Sequence, residues 1–215
     1  MPEHLKLTTD LRRDRLRLVE RLREEGVQDL AVLHAFDLVP RHLFVPNAMH
    51  HQAYKNIPIP IGDGQTISSP EIHAISLELA EIHQGERVLE VGTGSGFQTA
   101  LLAALGADVY SIERLTSLSN RARDTLLTLG YQVHLEVGDG SLGLPSHAPY
   151  SAIIVGAAAK KPPAALFKQL TEGGRLIIPV GTNNQTLYRY TQRGTEHIRE
   201  RIGGARFVPL IEEST

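Results

Sequence analysis

The chain has 215 residues, no cysteine and a formal net charge of −2 at pH 7. The lack of cysteine excludes disulfides and thiolate catalysis, and the small charge gives no electrostatic reason to expect a nucleic acid or an anionic membrane as partner. Because no apolar run approaches the roughly 20 residues that span a bilayer, and the N-terminus lacks the apolar core of a signal peptide, we expect a cytoplasmic protein.

The first forty residues predict two helices. In "LRRDRLRLVERLREEG", Leu11, Leu18 and Leu22 lie on one face, and Gly26 supplies a left-handed stop. Acidic residues offset four of the six arginines, so this stretch is more typical of a solvated helix face than of a nucleic-acid arm. "DLAVLHAFDLVP" predicts a shorter helix that Asp29 caps.

Residues 41–68 are rich in proline and glycine and show little periodicity, which predicts a long loop. Aromatic and aliphatic residues within the segment argue against disorder. In "GQTISSP", Ser69 before Pro70 predicts a helix start with the serine hydroxyl as the cap. The helix that follows is expected to bury four residues at helical spacing: Ile72, Ile75, Leu79 and Ile82.

From residue 71 onward, short apolar strands alternate with amphipathic helices. Strands are predicted at "RVLEV", "DVYSIE", "VHLEV", "SAIIV" and "RLIIPV". This order indicates βαβ units in an α/β fold, a doubly wound and mostly parallel sheet. "TLYRYTQ" and "EHIRERI" have a period of two, which is typical of antiparallel edge strands. We predict one domain over residues 1–215, with N-terminal helices and a covering loop at 1–70 and the α/β core at 71–215.

The stretch "VLEVGTGSG" joins a predicted strand to the next helix through three alternating glycines, Gly92, Gly94 and Gly96. In a doubly wound sheet this turn lies at the carboxyl ends of the strands, where ligands bind. A tight turn alone would need only one glycine. Three glycines allow positive φ and let a ligand approach the backbone closely, so the pattern predicts a binding site.

Acidic residues at the predicted strand ends help to choose the ligand. The glycine spacing does not match the dinucleotide motif G-x-G-x-x-G, and Glu90 would repel a pyrophosphate but suits a cationic amine. Glu113 can accept hydrogen bonds from ribose hydroxyls, and Asp139, beside Gly140 in "GDG", can accept one from an adenine amino group. Taken singly, Glu113 and Asp139 are equally consistent with a solvated strand end and a turn. Together these residues predict an S-adenosylmethionine site and a Rossmann-like class I methyltransferase fold.

Several stretches resemble the protein-L-isoaspartate O-methyltransferase family. They are "RHLFVP", "AYKNIPIPIGDGQTIS", "LEVGTGSGFQTALLA", "GDGSLGL", "APYSAIIVGAAAKKPPAALFKQLTEGGRLIIPVG" and "RFVPL", and they cover nearly the whole chain. The resemblance implies methyl transfer from S-adenosylmethionine to the α-carboxylate of L-isoaspartyl residues in damaged proteins and peptides, with S-adenosylhomocysteine as product. The ester then collapses to a succinimide, which can reopen to aspartate.

The resemblance also implies roles for residues in and after "GQTIS". Ser68 matches the family's active-site serine, Thr66 and Ile67 lie against the cofactor, and a cofactor-binding histidine falls at His73. Taken alone, His73 would more often be an ordinary helix residue. Gly156 stands where the family commonly has threonine.

The implied reaction explains a catalytic stretch without charges. A carboxyl group has a pKa of about 4, so it is ionised at neutral pH and can attack the methyl group without a general base. The protein must therefore hold the reacting atoms in line. A tight contact with lysine or arginine would stabilise the nucleophile, whereas a neutral hydroxyl orients it at lower cost. On this hypothesis Thr66 and Ser68 are orienting donors.

Two proline-containing stretches are candidates for peptide binding: "NIPIPIG" with Ile59 and Pro60, and "RFVPL" with Val208. Each could bind an extended peptide by main-chain hydrogen bonds or simply pack across the sheet, and both interpretations stay open. We expect isoaspartyl proteins and peptides as partners, with no nucleic acid and no membrane. The histidines offer no closely spaced ligand set, so no metal is expected, and a monomer is the default.

Other functions are less consistent with these residues. A methyltransferase for nucleic-acid amino groups would usually carry Asp/Asn-Pro-Pro-aromatic where this chain reads "GAAAKKPP". A metal-dependent small-molecule O-methyltransferase would need clustered Asp or Asn ligands. A nicotinamide dehydrogenase fails on the glycine spacing. A non-catalytic module predicts loss of Glu90, Glu113 or Asp139, and all three are present.

Overall fold

The computed structural model describes residues 3–212, with the side chains of residues 11–212. Its α-helices are α1 (Glu3–Glu24), α2 (Leu30–Leu38), α3 (Pro70–Ala80), α4 (Phe97–Ala104), α5 (Thr116–Thr128) and α6 (Ala164–Phe167). Its strands are β1 (Ile59–Gly62), β2 (Gln65–Ile67), β3 (Arg87–Val91), β4 (Asp108–Glu113), β5 (His134–Val137), β6 (Tyr150–Val155), β7 (Leu170–Val180), β8 (Gln185–Arg193) and β9 (Glu196–Ala205). Short 3₁₀ helices lie at Arg41–Phe44, Asn47–Gln52, Gly140–Leu142 and Pro145–His147.

The central sheet has the strand order β5-β4-β3-β6-β7-β8-β9. The strands from β5 to β7 are parallel, and β8 and β9 are antiparallel to their neighbours. The strand order reverses between β3 and β6, and the crevice at their carboxyl ends is where a doubly wound sheet binds ligands. The predicted fold class is confirmed, including the antiparallel C-terminal edge.

The N-terminal helices form the predicted apolar layer. Leu11, Leu18 and Leu22 are buried, and Gly26 follows α1 with a φ of 108°. The Asp29 carboxylate caps α2 by accepting hydrogen bonds from two backbone N–H groups. The sequence therefore specifies this layer through the spacing of a few leucines and one cap.

The boundary between this layer and the α/β core is closely packed. One cluster of buried apolar residues runs from Leu11 in α1 through Ile59 in β1 to Val88 in β3. This continuity supports a single domain. Residues 1–2 and 213–215 of the predicted domain lie outside the described residues, and its bounds stay a prediction.

The buried face of α3 differs from the predicted one. The four isoleucine and leucine residues expected inside are only half-buried, and the buried side chains after Pro70 are His73, Ala74, Ser76, Leu77 and Ala80. The helix lies between the sheet strands β6 and β7 and the helix α2. The buried face therefore includes the small side chains of Ala74, Ser76 and Ala80, which allow close approach, while the four side chains expected inside stay partly exposed.

The start of α3 is also capped differently from the prediction. Ser69 precedes the helix as expected, but its hydroxyl makes no capping hydrogen bond. The Asn56 side chain instead accepts from the backbone N–H of Glu71 at 3.1 Å. Because Pro70 has no N–H, this residue is the first in the helix with a backbone donor to satisfy. The predicted serine cap was wrong because a side chain distant in sequence takes its place.

Residues 41–68 are more ordered than the predicted loop. Two 3₁₀ helices precede a hairpin of β1 and β2, in which Ile59 lies opposite Ile67 and Pro60 opposite Thr66. These elements are three to six residues long, too short to give a periodic signal. The segment crosses the carboxyl edge of the sheet and brings "QTIS" to the glycine loop.

The buried guanidinium of Arg41 holds this covering segment together. Arg41 is 1% exposed, and it donates to the carbonyl oxygens of Ala53 at 2.8 Å and Ser68 at 2.7 Å. It also lies over the Phe97 ring, 4.8 Å from the centroid. Desolvation lowers its pKa to about 9. The backbone of the catalytic candidate Ser68 is thus tied to the start of the segment.

We expect Arg41→Met to destabilise the protein by about 2–4 kcal/mol, because two buried carbonyl groups lose their donor. Urea unfolding monitored by circular dichroism measures this change. Arg12→Met, an exposed position on α1, is the matched control and should shift the free energy of unfolding by less than about 0.5 kcal/mol. Equal unfolding midpoints for the two variants would contradict the assigned role of Arg41.

Candidate active site

The glycine loop after β3 turns the chain directly into α4. Gly92, Gly94 and Gly96 have φ values of 92°, 55° and 85°, a region that side chains rarely adopt. A Cβ at Gly96 would lie 3.1 Å from a methyl group of Leu126 and 3.2 Å from the Cβ of Ala122. The third glycine therefore lets α4 begin against α5, and the first two face open clefts.

An inner cleft lies between the glycine loop, β2 and α3, and its volume, including the solvent at its mouth, is about 450 Å³. Its lining includes Thr66, Ser68, His73, Glu90, Gln98 and Gly156. Residues far apart in the sequence are therefore brought together here. The cleft combines one carboxylate, one imidazole and several hydroxyl and amide groups beside the open backbone of the loop.

Glu90 is the buried anion of the inner cleft, with 1% of its surface exposed. One carboxylate oxygen accepts from the Gln98 amide at 3.2 Å, and the other accepts from the hydroxyls of Thr99 at 2.5 Å and Ser111 at 2.7 Å. Desolvation raises the pKa of Glu90 to about 7, although these hydrogen bonds oppose the shift. A cation entering the cleft would favour the ionised form.

His73 is connected to Glu90 through the same amide. Its Nδ1 lies 3.0 Å from Gln98 Oε1, and Gln98 Nε2 donates to Glu90. Because the amide donates on the Glu90 side, its oxygen accepts from Nδ1–H, which leaves Nε2 as an unprotonated acceptor. Burial lowers the pKa of His73 to about 3. Nε2 is buried without a partner among the described residues, so the cleft presents one unsatisfied acceptor to a donor.

A second cleft of about 860 Å³ continues from the inner one along the ends of β3 and β4. Thr66, Gly92, Gly94 and Gly156 line both clefts. Glu113 also lines the second cleft, and its carboxylate accepts from the Gly94 N–H at 2.9 Å. Each carboxylate oxygen of Glu113 has a further lone pair for a ligand hydroxyl.

The "GDG" turn closes the far side of this second cleft. The Asp139 carboxylate accepts from the Ser141 N–H at 2.8 Å, so it caps a short 3₁₀ helix. Gly140 lines the cleft, and a Cβ at this position would collide with the side chain of Val91. Glycine is therefore required for packing as well as for access. The predicted adenine contact of Asp139 stays a prediction.

The hairpin of β1 and β2 lies beside both clefts, and hydrogen bonds between its tip and α5 hold it there. The Asp63 carboxylate accepts from Arg121 at 2.9 Å and from the Ser117 hydroxyl at 3.0 Å, both on α5. Arg121 also donates to the Ile61 carbonyl at 3.1 Å. These hydrogen bonds lower the pKa of Asp63. They hold the hairpin so that Thr66, in the next strand, faces the glycine loop.

An outer groove extends from the inner cleft toward the ends of β8 and β9. Ser68 and Phe207 line both spaces, and the groove continues along Gln185, Arg201 and Arg206. Its volume, including the solvent at its mouth, is about 1750 Å³. Ser68 therefore lies where the inner cleft meets the outer groove on the surface.

The predicted substrate residues behave differently from one another. Val208 lines the groove, but its carbonyl already accepts from the Ala158 N–H at 2.8 Å. Pro60 is exposed, whereas Ile59 is 2% exposed and packs in the apolar core. The packing interpretation accounts for Ile59. Substrate contact at these three positions stays a prediction.

Two polar residues of the site were not anticipated from the sequence. Gln98 links His73 to Glu90, and Arg41 holds the Ser68 carbonyl. Both are polar side chains within apolar stretches, "FQTALLA" and "RHLFV". Buried polar groups need partners, so this pattern is the available signal, although it does not identify the partners.

The described part of the chain contains no group of three or more side chains suited to holding a metal ion. None of the helices described has the length and apolar composition needed to cross a bilayer.

Comparisons with known proteins agree with this geometry. Residues 13–215 match the family model for protein-L-isoaspartate(D-aspartate) O-methyltransferase (PCMT). The chain is 52% identical to the protein-L-isoaspartate O-methyltransferase of Vibrio atlanticus over 91% of its own length and 94% of that protein. It is 45% identical to that of Dictyoglomus thermophilum over 96% of its length and 94% of that protein.

Solved structures give the same result. A protein-L-isoaspartate O-methyltransferase superposes with a TM-score of 0.83 at 28% identity, covering 91% of this chain and 65% of that longer one. The beta-aspartate methyltransferase (PCMT) of Plasmodium falciparum, in complex with S-adenosyl-L-homocysteine, gives 0.80 at 26% identity, covering 92% and 98%. The second match extends the likeness to a structure with the demethylated cofactor bound.

Proposed function

Because the chain belongs to the protein-L-isoaspartate(D-aspartate) O-methyltransferase family, we propose that its connected clefts serve S-adenosylmethionine-dependent methylation of isoaspartyl carboxylates. The protein is a carboxyl methyltransferase that acts on the α-carboxylate of L-isoaspartyl residues in damaged proteins and peptides and initiates their repair to aspartyl. S-adenosylmethionine supplies the electrophilic methyl group and leaves as S-adenosylhomocysteine.

The observation that carries this proposal is the position of Ser68. It lines both the inner cleft, which holds Glu90 and His73, and the outer groove, which is open to solvent. A small molecule in the clefts and an extended peptide in the groove would therefore meet at this residue. This arrangement suits transfer between a buried donor and a macromolecular acceptor.

The described residues fit the cofactor's chemistry. The inner cleft offers a buried carboxylate at Glu90 and the unpartnered Nε2 of His73, which suit the ammonium group of a methionyl portion. Glu113 and Gly140, in the second cleft, suit the ribose and adenine. The hairpin with Thr66 and Ile67 contributes to the wall of these clefts. The glycine loop leaves the backbone open to the ligand.

The acceptor side of the site is neutral where the carboxylate would react. Ser68 and Thr66 are the hydroxyl groups between the clefts and the groove, and Arg41 contacts Ser68 only at its backbone carbonyl. Arg41 is not among the residues that line the two clefts or the groove, so its guanidinium group does not stabilise the carboxylate there. These hydroxyls orient the nucleophile, and in-line positioning supplies the rate enhancement.

The experiment that tests this function compares two short peptides with the same sequence, one containing L-isoaspartate and the other L-aspartate. Each is incubated with the protein and S-adenosylmethionine labelled in the methyl group. We expect base-labile label on the isoaspartyl peptide alone. Label on neither peptide, with the cofactor bound in a parallel calorimetric titration, would overturn the assigned acceptor and leave the cofactor site intact.

We further propose that the protein acts as a monomer in the cytoplasm and without a nucleic-acid partner. Its formal net charge of −2 supports the last point, because nucleic-acid binding depends on neutralising phosphates with basic side chains. Light scattering at micromolar concentration and a filter-binding assay with RNA are the direct measurements. A dimer, or salt-dependent retention of RNA, would contradict these predictions.

A further inference from the structure

The charged side chains that line the outer groove are all positive. Its lining contains two guanidinium groups, Arg201 and Arg206, and no aspartate or glutamate. Both arginines are exposed, and neither forms an ion pair with any carboxylate among the described side chains. Two unpaired cations along a groove that extends from Ser68 provide a local positive potential on a chain whose net charge is slightly negative.

The backbone beside these arginines is fixed even though their side chains are free. Gln185 accepts from the Phe207 N–H at 2.6 Å and donates to its carbonyl at 3.0 Å. Arg206 is the preceding residue, so its backbone is held at the groove. Arg201 lies in β9 and pairs in register with Tyr188 of β8. Both guanidinium groups thus extend from anchored positions on the groove wall.

Nearby carboxylates do not neutralise this charge. Glu71 follows the groove residues Ser68 and Ser69 in sequence, but it does not line the groove, and its carboxylate accepts from the Asn56 amide at 3.0 Å. Glu200 precedes Arg201 in β9, and adjacent strand residues face opposite sides of a sheet. A ligand in the groove would therefore meet the arginines without competition from these acids.

The two arginines line the outer groove and not the inner cleft. They would act on residues flanking the isoaspartate and leave the reacting carboxylate beside the neutral Ser68. Each extended residue advances a peptide by about 3.3–3.6 Å, so residues close to the isoaspartate in sequence would lie along the groove. Charge in the flanks can then add affinity without reducing the nucleophilicity of the acceptor.

We propose that Arg201 and Arg206 are specificity-determining residues that make the enzyme favour isoaspartyl peptides with acidic flanking residues. This inference rests on the proposed function, because it assigns the groove to the peptide. Exposed ion pairs each contribute weakly to affinity because solvent screens them. Two such pairs, compared with the corresponding repulsions, give an expected preference for acidic over basic flanks of about fivefold to twentyfold in kcat/KM, mostly through KM.

The test uses three isoaspartyl peptides that differ at only two positions, two residues before and two residues after the isoaspartate. Both positions are glutamate in the first peptide, glutamine in the second and lysine in the third. For the wild type we expect kcat/KM to fall in that order, with smaller differences at high ionic strength because exposed charges are screened. In Arg201→Glu/Arg206→Glu the order should invert. Arg193→Glu, an exposed residue at the far end of the β8–β9 hairpin, is the matched charge control and should keep the wild-type order.

The outcomes separate this inference from the proposed function. Equal methylation of all three peptides by the wild type would overturn the flank preference while leaving the carboxyl methyltransferase activity in place. An order that persists in the double variant would assign the preference to other residues and also overturn the inference. No methylation of any of the peptides would contradict the proposed function itself.

Discussion

Replacing Ser68 by alanine is expected to lower kcat by about 100-fold while changing the affinity for S-adenosylhomocysteine by less than about twofold. Ser68 lines the junction of the inner cleft and the outer groove, and Arg41 fixes its backbone carbonyl. The backbone of Ser68 is therefore held in place, while its hydroxyl group can rotate to donate to a substrate carboxylate. On the proposed mechanism, the substrate carboxylate loses its orientation toward the methyl group without that donor, whereas Glu90 and Glu113, which we propose hold the cofactor, are unchanged.

Steady-state methylation of an isoaspartyl peptide measures kcat, and calorimetric titration with S-adenosylhomocysteine measures the affinity. Thr66→Ala is a useful comparison because Thr66 lines the same spaces, and its loss should affect cofactor affinity as well as turnover. Ser146→Ala, at an exposed position in a 3₁₀ helix outside the clefts, controls for serine loss as such. Unchanged turnover in Ser68→Ala would remove the proposed orienting role.

Much of the fold could be predicted from the sequence because its signals are local. Strands such as "RVLEV" are apolar and bounded by turn residues, and α1 and α2 are set by leucine spacing and by the cap at Asp29. The face of α3 could not be predicted in this way. Its burial depends on which neighbours approach it, and small residues such as Ala74 and Ala80 allow the closest contact.

The sequence predicts which types of residue form the candidate site, but it does not predict the hydrogen bonds between them. Glycines and acids at strand ends carry a known meaning in parallel sheets, so Glu90 and Glu113 could be selected from spacing alone. The resemblance added Ser68 and His73. The contacts of Arg41 with Ser68 join residues 27 positions apart, and no pattern in a single sequence specifies such a pairing.

The substitution Glu90→Gln should have opposite effects on stability and on cofactor binding. The pKa of Glu90 is raised from its ordinary value of 4.5 to about 7 by burial. Below pH 4.5 the carboxyl group is protonated in both the folded and the unfolded protein. As the pH rises from 4.5 to 7, the unfolded state ionises first, so the folded state progressively loses stability. Glutamine does not ionise and avoids this loss.

At pH 8 the variant should therefore be more stable than the wild type by up to about 3 kcal/mol, since each unit of pKa shift corresponds to about 1.4 kcal/mol. The hydroxyls of Thr99 and Ser111 can rotate to accept from the new amide, and the carbonyl oxygen can still accept from Gln98. At pH 4.5 the two proteins should unfold at nearly the same temperature.

Cofactor affinity should move the other way. We propose that the ionised Glu90 accepts from the cofactor's ammonium group, and hydrogen bonds to charged groups contribute about 1.5–3 kcal/mol. We expect Glu90→Gln to weaken S-adenosylhomocysteine binding by about 10-fold to 100-fold at pH 8. In the wild type, affinity should also rise between pH 5.5 and about 7 as the carboxyl group loses its proton, and this rise should be absent in the variant.

Thermal unfolding at pH 4.5 and 8, with calorimetric titration across the same range, tests both effects in one pair of proteins. Glu113→Gln is the matched control, because Glu113 lies outside the buried hydroxyl cluster and instead accepts from the Gly94 and Leu115 N–H groups. Glu113→Gln should weaken the binding of S-adenosylhomocysteine without stabilising the protein at pH 8. If Glu90→Gln lowered stability at pH 8, the hydrogen bonds to the carboxylate would outweigh its desolvation, and burial would not raise the pKa of Glu90. The carboxylate would then contribute to both stability and cofactor binding, and the two effects of the substitution would have the same sign.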